Sequence, residues 1–255
     1  MILDPVAQRL ADQWNFVPEE ELPGGHCSKV YATSDRVLKV PYQGEEMTSG
    51  YWAMIGFGKP YGPEIYESDS STGSMLMERA IPGQLLHQVG LGEEEQIAVW
   101  REIALAFREI SETGLMPLPE FSSKSDPLVK YLLETTPQIC TMHGDLHHFN
   151  VLKHGDGWMA IDAKGVIGDP AFEAAAYIRN PIPEVADLSV PDVIARIHKI
   201  AEALDVDPFR VWGWTVTTLR EDPDPPEKPW GRVLESLYLA ASAFNAEQWV
   251  LRDVI

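Results

Sequence analysis

The chain has 255 residues, 45% hydrophobic and 23% charged, with 39 Asp and Glu against 20 Lys and Arg and a formal net charge of -19. It reads as a soluble globular protein, long enough to bury a sizeable core in one large domain or two small lobes. The acid excess argues against a nucleic-acid partner, which is held through basic residues, and no apolar run approaches the roughly 20 residues that span a bilayer.

The stretch MILDPVAQRLADQW has no basic region followed by an apolar core. It does not read as a signal peptide, and the expected location is the cytoplasm. Cys27 and Cys140 sit in no CxxC pattern and read as free thiols. A cationic ligand drawn to a negative cleft fits the charge, and so does plain solubility.

Residues 4–20 predict an amphipathic helix followed by an acidic turn. PGGH supplies a flexible corner. VYATSDRVLKV then predicts a hairpin turning near Ser34 and Asp35 and stopped by Pro41. Residues 45–58 predict one short helix weakened by Gly50. IYESD and SMLMER predict a β pair around SSTG, and the pattern breaks at 82–83. Residues 20–80 are therefore strand-rich.

From about 93 the periodicity turns helical. Ile97, Trp100, Ile103, Ala104, Phe107 and Ile110 share a face, with Glu93 to Glu95 at the start and Gly114 as the stop. PLPEFSSKSD predicts a loop, and PLVKYLLETTP a helix. VLKH and WMAID predict two strands joined by HGDG. Residues 171–179 predict a helix, 180–191 an exposed proline-rich loop, and 193–206 and 208–221 two helices. DPDPPEKP is a linker, and 232–255 closes the chain as one or two helices.

The stretch MHGDLHHFNVL (142–152) has two chemical readings. His143, His147 and His148 suggest a metal, but they form no HExxH and have no matched cysteine pair. Phosphoryl transfer fits better, because it needs a carboxylate to orient the hydroxyl and hard oxygen ligands for Mg²⁺. Asp145 can be that base. Asn150, five residues on, can reach back as a metal ligand. The VLKH–WMAID hairpin can bring Asp162 beside it.

HGDxxxxN followed by ID a dozen residues later resembles the aminoglycoside phosphotransferases and their relatives. HGDLHHFNVL with IDAKGVIGDPAFEAAAYIRNP is most similar to the streptomycin 6-kinase and hydroxyurea phosphotransferase group. Ala163 stands where that group has proline, and Lys164 and Gly165 separate this branch from others. The resemblance covers roughly residues 20 to 240. It implies an α+β, bilobal, protein-kinase-like fold, with a small antiparallel β lobe before a larger, mostly helical lobe. Residues 1–80 would bind ATP, the hinge would lie at about 78–83, and 84–255 would carry the catalytic and acceptor-binding lobe.

The resemblance also implies roles. Asp145 is the base and His143 braces its loop, the two together forming the catalytic set. Asn150 and Asp162 hold Mg²⁺. Lys39 in RVLKVP meets the phosphates, against the plain alternative of a strand lysine. Its partner is Glu46 rather than Glu45. Gly24, Gly25 and Ser28 line the phosphate loop, and Glu78 to Ala80 read the adenine edge. Met77 lines the pocket, with core packing as the alternative for it and for Met75. Lys164 either touches phosphate or makes a structural salt bridge, with Asp169 or Glu173 as its partner.

The implied reaction is ATP-dependent phosphorylation of a small-molecule alcohol, with streptomycin at its 6-hydroxyl the best guess. Asp169, Glu173, Glu221, Asp222 and Asp224 are candidate contacts for a cationic acceptor, with a helix cap the alternative for Asp169. Trp212, Trp214 and Trp230 either stack on the acceptor or pack the core. A kinase for a sugar, an amino alcohol or hydroxyurea stays open, as does a non-catalytic binding module. The expected assembly is a monomer or weak homodimer.

Overall fold

The computed structural model describes residues 2–23, 27–111, 113–122, 125–182, 184–221 and 225–250. Asp4 caps the first helix, α1 (Pro5–Gln13), its carboxylate accepting from the N–H groups of Val6 and Ala7 at 2.9 and 3.0 Å. The helix is shorter than expected. Asn15 adopts a left-handed conformation (φ 49) and redirects the chain into β1 (Glu20–Leu22).

β2 (Ser28–Ala32) and β3 (Arg36–Pro41) form the expected hairpin, with Ala32 opposite Val37. The helix expected over 45–58 is broken. Glu45–Met47 make one 3-10 turn, Thr48 leaves helical geometry (φ -130, ψ -99), and α2 runs Ser49–Gly56. The break leaves Glu46 buried, at 7% exposure. β4 (Ile65–Asp69) and β5 (Ser74–Glu78) pair as expected. The five strands lie in the order β1-β2-β3-β5-β4, each pair antiparallel. Leu10 of α1 joins Tyr31, Leu38 and Leu76 in a core on one face of this sheet.

The remainder is mostly helical. β6 (Pro82–Leu85) lies where only a break in pattern was expected, and α3 (Glu93–Phe107) stops short of Gly114. The predicted loop after it contains β7 (Met116–Pro117) and α4 (Leu118–Phe121), before α5 (Pro127–Glu134). β8 (Cys140–Met142), the expected hairpin β9 (Val151–His154) and β10 (Gly157–Ala160), and β11 (Val166–Gly168) follow. They complete two three-stranded sheets, β10-β9-β6 and β7-β11-β8. The β6–β9, β7–β11 and β8–β11 pairings join segments too distant in sequence for local patterning to signal.

α6 (Glu173–Ile178), α7 (Val190–Leu204), α8 (Pro208–Glu221), α9 (Pro229–Leu239) and α10 (Glu247–Val250) close the chain. The predicted exposed loop at 180–191 instead tucks Val185 and Ala186 into the core from a 3-10 turn at Glu184–Asp187. Trp212 and Trp214 on α8 have no exposed surface, and Trp230 packs half-buried against the same core. All three therefore take the packing alternative. Among the described residues no helix is long and apolar enough to cross a membrane. The fold is α+β, a small antiparallel β lobe followed by a larger helical lobe.

A buried polar network ties α5, α8 and the start of α6 together. Asp169 is 1% exposed and accepts from Ala171 N at 3.1 Å, Arg210 Nε at 2.8 Å and Trp214 Nε1 at 2.6 Å. Arg210 also donates to Leu132 O and to Thr135 Oγ1. Removing one partner of a buried ion pair strands the other charge away from water. Asp169→Ala is expected to lower unfolding stability by about 3–5 kcal/mol in urea titration. A loss under about 1 kcal/mol would show that the pair does not hold these helices.

Candidate active site

Between the five-stranded sheet and the β9–β10 hairpin lies a cavity of about 680 Å³. Val30, Val37 and Met77 from the sheet face Leu152, Met159 and Ile161 from the hairpin region, so the cavity is an apolar slot. Its polar end holds Lys39, Asn150 and Asp162, and Glu78 and Ala80 lie on its wall. The backbone N–H groups of Glu78 and Arg79 donate to Glu64 O and Asp35 O at 2.8 and 2.9 Å. Glu78 is also ion-paired with Lys59, and its Oε1 lies 3.2 Å from His154 Nε2.

A chain of alternating charges runs behind the polar end. Lys39 Nζ stands 2.6 Å from Asp162 Oδ1 and 2.8 Å from Glu46 Oε2, and Lys164 Nζ stands 3.0 Å from Glu46 Oε1. Burial pushes the Lys39 ammonium down, but Asp162 and Glu46 together lift it above its ordinary value. Burial likewise works against the Asp162 carboxylate, and Lys39 and Lys164 hold it below the usual carboxylate range. Asp162 sits at φ 64, a conformation non-glycine residues adopt sparingly and one found where function demands it.

The 143–150 loop is held from inside. The His143 ring is fully buried; its Nε2 lies 2.8 Å from Ile161 O, and Asp145 N donates to its Nδ1 at 3.2 Å. That pattern assigns the neutral ring with its proton on Nε2. Glu173 accepts from His143 N at 2.7 Å and Gly144 N at 3.1 Å, and Trp100 Nε1 donates to Leu146 O at 2.8 Å. The Asn150 side chain donates to Asp145 O at 2.9 Å, which leaves its Oδ1 available as a hard oxygen donor. The Asp145 carboxylate is partly exposed, with Arg179 Nη2 at 3.5 Å and His147 Nε2 at 3.7 Å.

The histidines do not converge. His148 is buried against the Tyr177 ring, 4.2 Å between centroids, while His147 faces Asp145. Among the described residues no three of His, Cys, Asp and Glu gather to hold a metal. Mg²⁺ does not need such a cage: one or two oxygen ligands plus substrate phosphates suffice, and Asn150 and Asp162 on one cavity wall match that pattern. A second chamber of about 240 Å³ borders the loop at His148 and is walled by His87, Glu93, Tyr177, Glu184 and Arg196.

The structure thus brings Lys39, Glu46, Asn150 and Asp162 together and places Asp145 on the same loop as Asn150. Ser28 is buried opposite Pro41 and does not line the cavity. Gly24, Gly25, Asp222 and Asp224 lie outside the described residues. His143 supports the loop from within and does not line the cavity. Lys164 pairs with Glu46, not with Asp169 or Glu173. Both of those acids are buried and internally bonded, so neither offers an acceptor contact; Asp169 is a helix cap as well as an ion pair. Sequence reasoning missed Arg179 beside Asp145, and Leu152, Met159 and Ile161 on the cavity floor. Their alternation along the predicted hairpin was the available signal for the floor.

A family model described as aminoglycoside/hydroxyurea antibiotic resistance kinase matches residues 123–222. The streptomycin 3''-kinase of Klebsiella pneumoniae is 26% identical over 234 residues, 80% of this chain and 86% of that protein. The streptomycin–ATP–APH(2'')-IIa ternary complex aligns with TM-score 0.57 at 15% identity, covering 92% of this chain and 97% of that one. Aminoglycoside phosphotransferase APH(3'')-Id from Streptomyces rimosus, in complex with ADP and streptomycin, aligns with TM-score 0.57 at 13% identity, covering 92% and 99%. These structural likenesses show the kinase-like fold.

The buried loop groups set a pH response. Burial pushes His143 down to about 3 and His148 to about 2, and pushes Glu173 up to about 7 against its backbone donors. The contribution of the two histidines is fully present above about pH 6.5 and is lost progressively as pH falls from there toward their folded values. Glu173 does the opposite: its contribution is present below its unfolded value near 4.5 and is lost as pH rises through about 7. Between about pH 6.5 and 4.5 two protons favour the unfolded state and one the folded. These three groups are therefore expected to lower stability by about 1.4 kcal/mol per unit of acidification. His148→Gln should remove most of that slope in denaturant titrations at stepped pH. An unchanged slope would show that His148 is not buried neutral.

Proposed function

We propose that this chain, a small-molecule phosphotransferase of the aminoglycoside phosphotransferase superfamily by its similarity to those proteins, moves the γ-phosphoryl group of ATP to a hydroxyl of an aminoglycoside-like acceptor. Streptomycin is the first acceptor to test, at its 6-hydroxyl. The observation that carries this reading is the apolar slot ending in Lys39, Asn150 and Asp162, with Asp145 on the loop that carries Asn150.

In this reading residues 1–80 form the ATP-binding lobe and 84–255 the catalytic and acceptor lobe, joined by a hinge at about 78–83. The adenine ring lies between Val37 and Met77 above and Leu152 and Ile161 below. Lys39 turns its ammonium from Asp162 toward the α and β phosphates, and Glu46 keeps it in place. Asn150 and Asp162 would hold Mg²⁺, which would neutralise phosphate charge during transfer. Asp145 orients the acceptor hydroxyl and takes its proton as the oxygen bonds to the γ-phosphorus and the bond to ADP breaks. Arg179 keeps the Asp145 carboxylate in position. His143, Glu173 and Trp100 hold the loop that presents it. An enzyme of this kind works where ATP is available, in the cytoplasm.

A cationic acceptor would rest partly in the chamber beside His148, where the exposed Glu184 stands on the wall. The matched family description also names hydroxyurea, which puts hydroxyurea in the same panel of candidate acceptors.

A coupled assay for ADP release over aminoglycosides, hydroxyurea and simple alcohols tests the reading, and NMR of the product locates the phosphate. Phosphate on the 6-hydroxyl of streptomycin supports the finer assignment, and phosphate at 3'' replaces it. Asp145→Asn should lower kcat by about 10²–10⁴ while ADP binding stays within about twofold; full turnover in that variant would remove Asp145 as base. Glu184→Gln should raise the acceptor KM and leave the ATP KM alone, and an unchanged acceptor KM would take the acceptor out of that chamber.

A further inference from the structure

Glu46 carries two cations. Lys39 Nζ stands 2.8 Å from Glu46 Oε2, and Lys164 Nζ donates a hydrogen bond to Oε1 at 3.0 Å. Lys164 follows Asp162 by two residues, so its ammonium ties the segment carrying Glu46 to the stretch carrying a proposed metal ligand.

The backbones around this bond are clamped. Ser49 Oγ donates to Lys164 O at 2.6 Å. A Cβ on Gly50 would meet Ala163 O at 2.3 Å, and a Cβ on Gly165, at φ 68, would meet Ser49 O at 2.4 Å. Only glycine permits the approach at either point. Gly50, which weakens the helix in sequence terms, is what lets α2 dock. The exposures match this role: the Lys164 side chain is 15% exposed and Glu46 8%.

A carboxylate held by one cation on each oxygen has neither rotational nor translational slack. Without Lys164, Glu46 would be held through one oxygen only and could turn about its contact with Lys39, leaving Lys39 to settle on Asp162, the proposed metal ligand. Resting on the phosphotransfer reading above, we propose that Lys164 is a positioning residue: it anchors Glu46 and so holds Lys39 ready for the phosphates before nucleotide arrives. In protein kinases the equivalent lysine–glutamate pair is brought together by movement of a helix during activation. Here the pair is assembled in advance, because the helix that follows Glu46 is fastened directly to the 163–165 backbone.

The test compares wild type with Lys164→Met, Lys164→Arg, Glu46→Gln and the Met/Gln double variant, reading kcat, the two KM values and binding of ADP with magnesium by calorimetry. Lys164→Met should lower kcat by about 10–100-fold and leave the acceptor KM within about twofold, and Lys164→Arg should recover most of the loss. The double variant should be no worse than Glu46→Gln alone, because Lys164 acts through Glu46. Melting temperatures separate loss of fold from loss of position, and Lys164→Arg carries the test if the Met variant does not fold. A kcat for Lys164→Met within about twofold of wild type overturns the proposal. Multiplying effects in the double variant overturn it too, since Lys164 would then act independently, for example on a phosphate directly. If wild type binds no ADP with magnesium, the phosphotransfer reading itself fails, and that result is distinct from a wild type that binds while the variants bind equally well.

Discussion

The Lys39 side chain is 4% exposed, and its charge governs the arrangement around it. An ammonium taken out of water costs several kcal/mol unless carboxylates surround it. Glu46 comes from the turn just after β3, and Asp162 from beyond the β9–β10 hairpin, so satisfying one lysine forces two distant pieces of chain to meet. The apolar slot lies between those pieces, and its polar end is where they join. A second lysine then neutralises the remaining carboxylate oxygen, giving a chain of two acids and two bases with no net charge. Within a molecule of formal charge -19, this is a locally balanced site.

The 143–150 loop obeys the same rule applied to backbone. Irregular chain inside a protein must find a partner for each N–H and C=O. Glu173 takes two successive N–H groups, Trp100 serves the Leu146 carbonyl, and Asn150 closes on the Asp145 carbonyl. With the backbone engaged this way, the Asp145 side chain is left partly exposed beside Arg179. Glu173 and Asp169 are acids near the site that look like ligand contacts in the linear chain. They are structural because helix α6 and its preceding turn carry them inward.

Much of this is legible in the sequence. The hairpins β2–β3 and β9–β10 follow from local alternation and turn residues, and the HGDxxxxN resemblance supplied the roles expected of Lys39, Asn150 and Asp162 on and beside them. The choice of Glu46 over Glu45 followed from the family resemblance, and the break at Thr48 leaves Glu46 buried. The Lys164 partner was misassigned because the nearest acids in sequence were weighed, and its partner is 118 residues away. Ser28 was assigned to the phosphate loop by its place after PGGH, yet β pairing faces it into the sheet. The tryptophans on α8 could be read either way, since helical periodicity does not say which neighbour an apolar face meets.

The sequence by itself determined the reaction class expected of this chain, because the chemistry rests on residue types at short spacings: a carboxylate, an amide five residues on, and a second carboxylate after one hairpin. It also determined the fold class, through alternation early and helical periodicity late. Only the tertiary structure decided which acids line the cavity and which are braces, that Glu46 is shared by two lysines, and that two glycines fasten α2 to the 163–165 backbone. Those outcomes depend on desolvation and close packing between segments far apart in the chain, and neither quantity exists until the segments meet.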